Sequence, residues 1–203
     1  MANLVAARGL VPYRHLDGSV WNGSANMYFV PSGYATALYV GDPVDVLHTA
    51  NDANGIPGVQ IATAGTSNPV LGPVVGIVAG GNPVIAVTRD LPIYHPASTA
   101  QYILVADDPT LLFWIMDDSS GSTLNQWPGQ NANLVAGAGS TITGWSGWML
   151  GGSTVATTNT LQLKIQRLLD TPDAASNAQP PIAAAKWLVQ LNQRRFGNAI
   201  AGA

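Results

Sequence analysis

Histidine, aspartate and serine are the residues through which this chain could do chemistry, and their spacing decides how much. His15, His48 and His95 stand far apart, with none of the short separations that seat two imidazoles on one metal ion. A zinc site built from them would need an aspartate as third ligand. Three unrelated histidines on loops or strand ends is the better reading, so no metal is expected. Asp107-Asp108 and Asp117-Asp118 bracket the apolar run 111–116. Paired carboxylates can divide acid–base work or bind calcium. At ~3.3 Å per strand residue, however, these pairs would lie more than ~15 Å apart. Asp-Pro and Asp-Ser-Ser-Gly are ordinary turn sequences, and turns are expected.

Gly144-Trp145-Ser146-Gly147-Trp148 approaches a nucleophile elbow, but Trp148 stands where its last glycine belongs and no helix is expected to follow. Gly137-Ala138-Gly139-Ser140 lacks the lysine of a phosphate-binding loop. Asp52-Ala53-Asn54-Gly55 resembles part of a calcium loop without the glutamate that closes one. No catalytic residue and no cofactor is expected; the chain reads as a non-enzyme.

Aromatic and arginine side chains offer binding instead. Trp127, Trp145 and Trp148 lie in or beside a Gly- and Asn-rich central region. They can fill the core and anchor subunit contacts, where tryptophan is enriched, or serve as stacking platforms for sugars. Near the start, Leu10, Tyr13 and Trp21 accompany Arg8 and Arg14 in a stretch with no strand period. A solvated tail needs no such apolar side chains. Residues 1–26 therefore read as an arm or loop that docks on a neighbour, its arginines supplying forked donors for a partner's carboxylates, with an ordinary first strand of the chain's own barrel as the alternative.

The elements that must position these residues are strands. The 203-residue chain is 47% hydrophobic and only 9% charged, and all eleven acids are aspartate. Without glutamate and with two lysines, it lacks the residues that long helices rely on. Its 22 glycines and 14 prolines suit short strands joined by turns. Strands are expected at 27–30, 34–40, 44–48, 70–79, 84–88, 101–106, 111–116, 141–150, 161–166 and, less regularly, 183–193, where a short helix is the alternative. Asp107-Asp108-Pro109-Thr110 reads as a hairpin loop between two of them, and 117–139 as one long polar excursion. The expected fold is an all-β sandwich or barrel with long loops and little helix. It comprises the arm at 1–26 and a single β domain at 27–203.

A net charge of −3 argues against a nucleic-acid surface. No apolar run reaches the ~20 residues of a membrane helix, and residues 1–13 lack the apolar segment of a secretion signal. With no cysteine, no disulfide or thiolate site contributes. A surface so poor in charge is expected to be covered by other protein, in a homo-oligomer (trimer or dimer) or on a partner.

Four blocks carry a resemblance. They are Ala7-Arg8-Gly9-Leu10-Val11-Pro12-Tyr13-Arg14-His15 continuing to Ala35-Thr36-Ala37-Leu38-Tyr39-Val40-Gly41-Asp42-Pro43-Val44; Tyr102-Ile103-Leu104-Val105-Ala106-Asp107-Asp108-Pro109; Gly139-Ser140-Thr141; and Leu161-Gln162-Leu163-Lys164-Ile165 through Lys186-Trp187-Leu188-Val189. Together they resemble the small capsid decoration, or cement, proteins of tailed bacteriophages. The resemblance implies a jelly-roll-like β fold and a virion protein made in the host cytoplasm. It would sit on the capsid exterior and bridge major capsid protein subunits, with no catalytic residues to carry over. Expected partner contacts are Arg8, Leu10, Tyr13, Arg14, Trp21, Trp127, Trp145 and Trp148. The alternative is a virion-surface carbohydrate-binding β-sandwich.

Overall fold

The computed structural model describes residues 6–78, 92–121, 126–169 and 185–197, and among these there is no α-helix. The all-β expectation holds. Five strands form a closed barrel: β2 (Asn26–Val30), β5 (Pro57–Ile61), β4 (Pro43–Asn51), β6 (Gly72–Ile77) and β8 (Gln101–Val105), in that order. β8 returns to pair with β2 from Asn26↔Val105 to Val30↔Gln101 and shuts the ring. Alternation fills it: Val30, Val44, Val59, Val74, Ile103 and Val105 are buried inside. Asp45, between Val44 and Val46, takes the other face of β4.

A second sheet, β1 (Val11–His15), β9 (Leu111–Met116), β14 (Lys186–Leu191), β13 (Leu163–Leu168) and β10 (Asn131–Ala132), runs antiparallel throughout. Leu111, Phe113, Ile115, Leu163, Ile165, Trp187 and Val189 bury one face of it. Trp127 packs on Trp187, ring centroids 5.0 Å apart. Two-stranded pairs, β3 (Leu38–Tyr39) with β7 (Tyr94–His95) and β11 (Leu134–Val135) with β12 (Met149–Leu150), complete the described elements. Ile61 packs against both buried clusters and joins ring to sheet.

Several expectations need correction. The segment 6–26 is not a free arm: Val11–His15 is the edge strand beside β9, and Leu10 is 0% exposed. Its period was hidden because β1 contains Pro12 and a register shift between Pro12 and Arg14. The loop 107–110 is no hairpin. β8 is flanked by β2 and β6, and β9 by β1 and β14, so both edges of each strand are taken and the loop crosses from ring to sheet. The excursion 117–139 contains buried strand, because Asn131 and Asn133 are inward-facing polar residues bonded to Thr158 O (3.0 Å) and Thr66 Oγ1 (3.2 Å). Within 141–150 only Met149–Leu150 is strand. Gly144 (φ +73°) closes a turn by donating from its amide to Ser140 O at 2.8 Å. Only Leu38–Tyr39 of 34–40 is strand. The strand expected at 84–88 lies outside the described residues.

A buried Leu10 has a measurable consequence. Leu10→Ala should lower the unfolding free energy by about 2–5 kcal/mol in urea titrations. An unchanged midpoint would mean that the segment behaves as a detachable arm after all.

Candidate interaction site

The site is built where the N-terminal segment crosses the barrel. Leu10 donates its amide to Gly41 O (3.0 Å), and Gly41 donates to Val74 O (2.7 Å). Gly9 (φ +66°) and Gly41 (φ +97°) face each other so closely that a Cβ on Gly9 would sit 2.1 Å from Gly41 O. A Cβ on Gly41 would sit 1.9 Å from Arg8 O. Only glycine satisfies both the backbone angle and the space.

This crossing opens an apolar cleft of about 120 Å³ lined by Leu10, Val11, Trp21, Val40, Val74 and Trp145. Trp145 is brought there by its turn: Val40 donates to Gly144 O (2.9 Å) and Ser146 donates back to Val40 O (2.9 Å). The Arg8 guanidinium lies 4.9 Å from the Trp145 ring, a cation–π arrangement. Trp21 is half-buried and donates from Nε1 to Ser24 O at 3.1 Å. Arg14 lies over the Tyr13 ring at 5.9 Å, and its Nε is buried without a hydrogen-bond partner. Neither Arg8 nor Arg14 pairs with a carboxylate among the described residues, where the ion pairs are His15–Asp108 and Arg195–Asp45. Large apolar groups flank the cleft in sequence: Tyr13, Leu16, Val20 and Ile142 are all exposed.

Six of the eight residues expected to make partner contacts therefore gather at this crossing or on the adjoining strand, although Leu10 forms its floor and not its surface. The other two are corrected. Trp127 and Trp148 are 3% and 4% exposed, in the main core, and offer no face to a partner or a sugar. Their place in a polar, glycine-rich stretch conceals this, because the polar neighbours bond to backbone instead of water.

Several groups with chemical potential bond to neighbouring residues. His15 meets Thr110 Oγ1 at 3.2 Å and Asp108 at 3.4 Å. His48 is exposed on β4. His95 is buried, its Nε2 2.8 Å from Thr99 O, and burial holds its pKa down. Asp107 accepts from Tyr28 Oη at 2.6 Å and Asp117 from Trp187 Nε1 at 3.1 Å. Burial pushes the Asp117 carboxyl up. Burial also raises Asp118, but hydrogen bonds from Ser120 and Gly152 outweigh it and leave that carboxyl low. Ser146, the serine of the elbow-like sequence, is buried and accepts from the Trp148 amide at 3.1 Å. Among the described residues no cluster of three or more His or Asp side chains could hold a metal ion.

Asp42 was not singled out by the sequence, since Gly-Asp-Pro reads as a turn. It is 2% exposed beside the glycine crossing, and burial pushes its carboxyl up to about 6. The Ser146 hydroxyl and the Tyr39 amide (2.9 Å) pull the other way without winning.

No family model matches the chain, and no curated protein or solved structure is significantly similar to it.

Asp42 makes stability pH-dependent with a definite sign. The folded chain holds the Asp42 proton more tightly than the unfolded chain, whose carboxyl titrates near 3.8. Its contribution is full below that value, falls by about 3 kcal/mol as pH rises to 6, and is level above. Asp42→Asn removes this titration, so its stability relative to the native chain should rise between pH 4 and 7. Urea titrations across that range check it, and a constant difference would contradict it.

Proposed function

We propose that this is a non-enzymatic structural protein of a tailed-phage virion. On this reading it decorates the capsid exterior and bridges major capsid protein subunits as a homo-oligomer. The observation that carries the reading is the face around the Trp21–Trp145 cleft. In a chain of net charge −3, Arg8 stands there over Trp145 and Arg14 on the adjoining strand, both without carboxylate partners among the described residues, beside exposed apolar groups. Such a face suits a protein surface that offers carboxylates to Arg8 and Arg14 and an apolar group to the cleft. It does not suit DNA, which would need many clustered cations.

The resemblance read from the sequence points the same way, since Arg8 to Arg14 and Val40 to Val44 lie in the first of the blocks that carry it. Small contacts repeated around a symmetric shell add up through avidity, so each copy needs only a modest interface. Packaged DNA pushes outward on the shell, and a rigid β protein spanning several subunits resists that without touching DNA. The carbohydrate-binding alternative loses two of its three platforms, because Trp127 and Trp148 are core residues.

Binding to purified, undecorated capsids tests the proposal. Arg8→Ala and Trp145→Ala should each weaken binding about tenfold or more, a loss typical of central interface residues, while the melting temperature changes little. Native-strength capsid binding by both variants, or no capsid binding by the native chain, would refute it.

A further inference from the structure

On the other side of the ring-to-sheet crossing, the loop 107–110 forms one wall of an open cavity of about 620 Å³. Asn26, Asp107, Asp108, Pro109, Arg194 and Phe196 line it. Its size falls in the range of small-molecule sites. The lining mixes polar and apolar groups, and its polar atoms are only partly used internally. Asp107 accepts from Asn26 Nδ2 at 2.9 and 3.1 Å and from Tyr28 Oη, which leaves part of a carboxylate's capacity of about four bonds free. Asn26 is exposed, and its Oδ1 makes no hydrogen bond among the described residues. Arg194 donates from Nη1 to Pro109 O at 2.5 Å, with no other hydrogen bond from its guanidinium among those residues.

At the rim Phe196 is 72% exposed, the most exposed aromatic side chain of the described chain. It offers a flat apolar face beside carboxylate, amide and guanidinium groups, which suits a ligand with an apolar ring face and polar edges.

We propose that this cavity binds a neutral carbohydrate, a pyranose whose ring packs against Phe196 and whose hydroxyls bond to Asn26, Asp107 and Arg194. The chemistry selects the class. Sugar hydroxyls both donate and accept, and the cavity presents acceptors in Asp107 and Asn26 Oδ1 and donors in the Arg194 guanidinium. Two carboxylates against one guanidinium make the lining net negative, which disfavours phosphates, nucleic acids and sialylated sugars. The site is distinct from the tryptophan platforms considered in sequence and does not rest on the capsid reading. A virion protein could use it to hold host glycans, and a free protein could use it as a lectin does.

A glycan array probed with the full chain, followed by NMR titration of a bound sugar, tests the proposal. Neutral glycans should bind. Phe196→Ala and Asn26→Ala, both at exposed positions, should each weaken that binding about tenfold or more with unchanged melting temperature. Trp145→Ala should leave it intact. Absence of any hit, binding confined to anionic glycans, or binding that survives Phe196→Ala while Trp145→Ala abolishes it would each overturn the proposal. Capsid binding by the Phe196 variant reads out separately, so the two functions can fail independently.

Discussion

Everything on the proposed docking face hangs on one close approach, the crossing of Gly9 over Gly41. Two backbones pass so near that neither position has room for a methyl group, and both adopt left-handed angles. That contact fixes Leu10 against the main core and gives β1 its starting point beside β9. On the barrel side it fixes Val40, which in turn accepts the Ser146 amide and places Trp145 under Arg8. Asp42, the next residue along, is buried as a by-product of the same approach. The raised carboxyl is therefore a cost of building the crossing and needs no catalytic explanation.

Few charges hold the rest together, in keeping with the composition. Gln162 is fully buried with all four of its side-chain hydrogen-bonding sites used. Its Oε1 accepts from Gly65 N (2.9 Å) and Leu134 N (3.2 Å), and its Nε2 donates to Thr63 O (2.8 Å) and Asn68 O (3.1 Å). One neutral amide thus ties a barrel-side loop to the second sheet, avoiding the desolvation cost of an ion. Where an ion pair is used, it is forked and mostly buried: Arg195 reaches Asp45 with Nε at 2.7 Å and with Nη2. That pair fastens the segment after β14 to the barrel wall. Such neutral or paired bonding serves the interior of a chain with 9% charged residues and no Glu, and leaves a few buried atoms, Arg14 Nε and His95 Nδ1 among them, without a hydrogen-bond partner.

Sequence revealed fold class well because absent glutamate, abundant turns and alternation at Leu161, Leu163 and Ile165 all favour strands, and those three residues are buried. It misjudged positions where polar residues face inward. Gln162 reads as the solvent side of that alternation and is interior; Asn131 and Asn133 disguise buried strand as loop. Leu188 breaks the pattern of β14 because Trp187, Leu188 and Val189 are all buried in a central strand covered on both faces. Pairing was beyond reach, since nothing local to Asp107-Asp108-Pro109-Thr110 tells whether adjacent strands join each other or separate sheets. The residues of the proposed docking face were legible as types, arginine and aromatic near the start. Their convergence on Trp145 was not, because it depends on a glycine contact between segments over thirty residues apart.

On the proposed reading, the chemistry of this protein lies in contact and not in turnover. An icosahedral reconstruction of virions carrying this protein is the most direct measurement of that account. It predicts density for the chain on the capsid exterior, with Arg8, Trp21 and Trp145 facing the major capsid protein and Arg8 or Arg14 within reach of its carboxylates. Virions without the chain, or a chain that meets the shell through another face while this cleft opens to solvent, would contradict it.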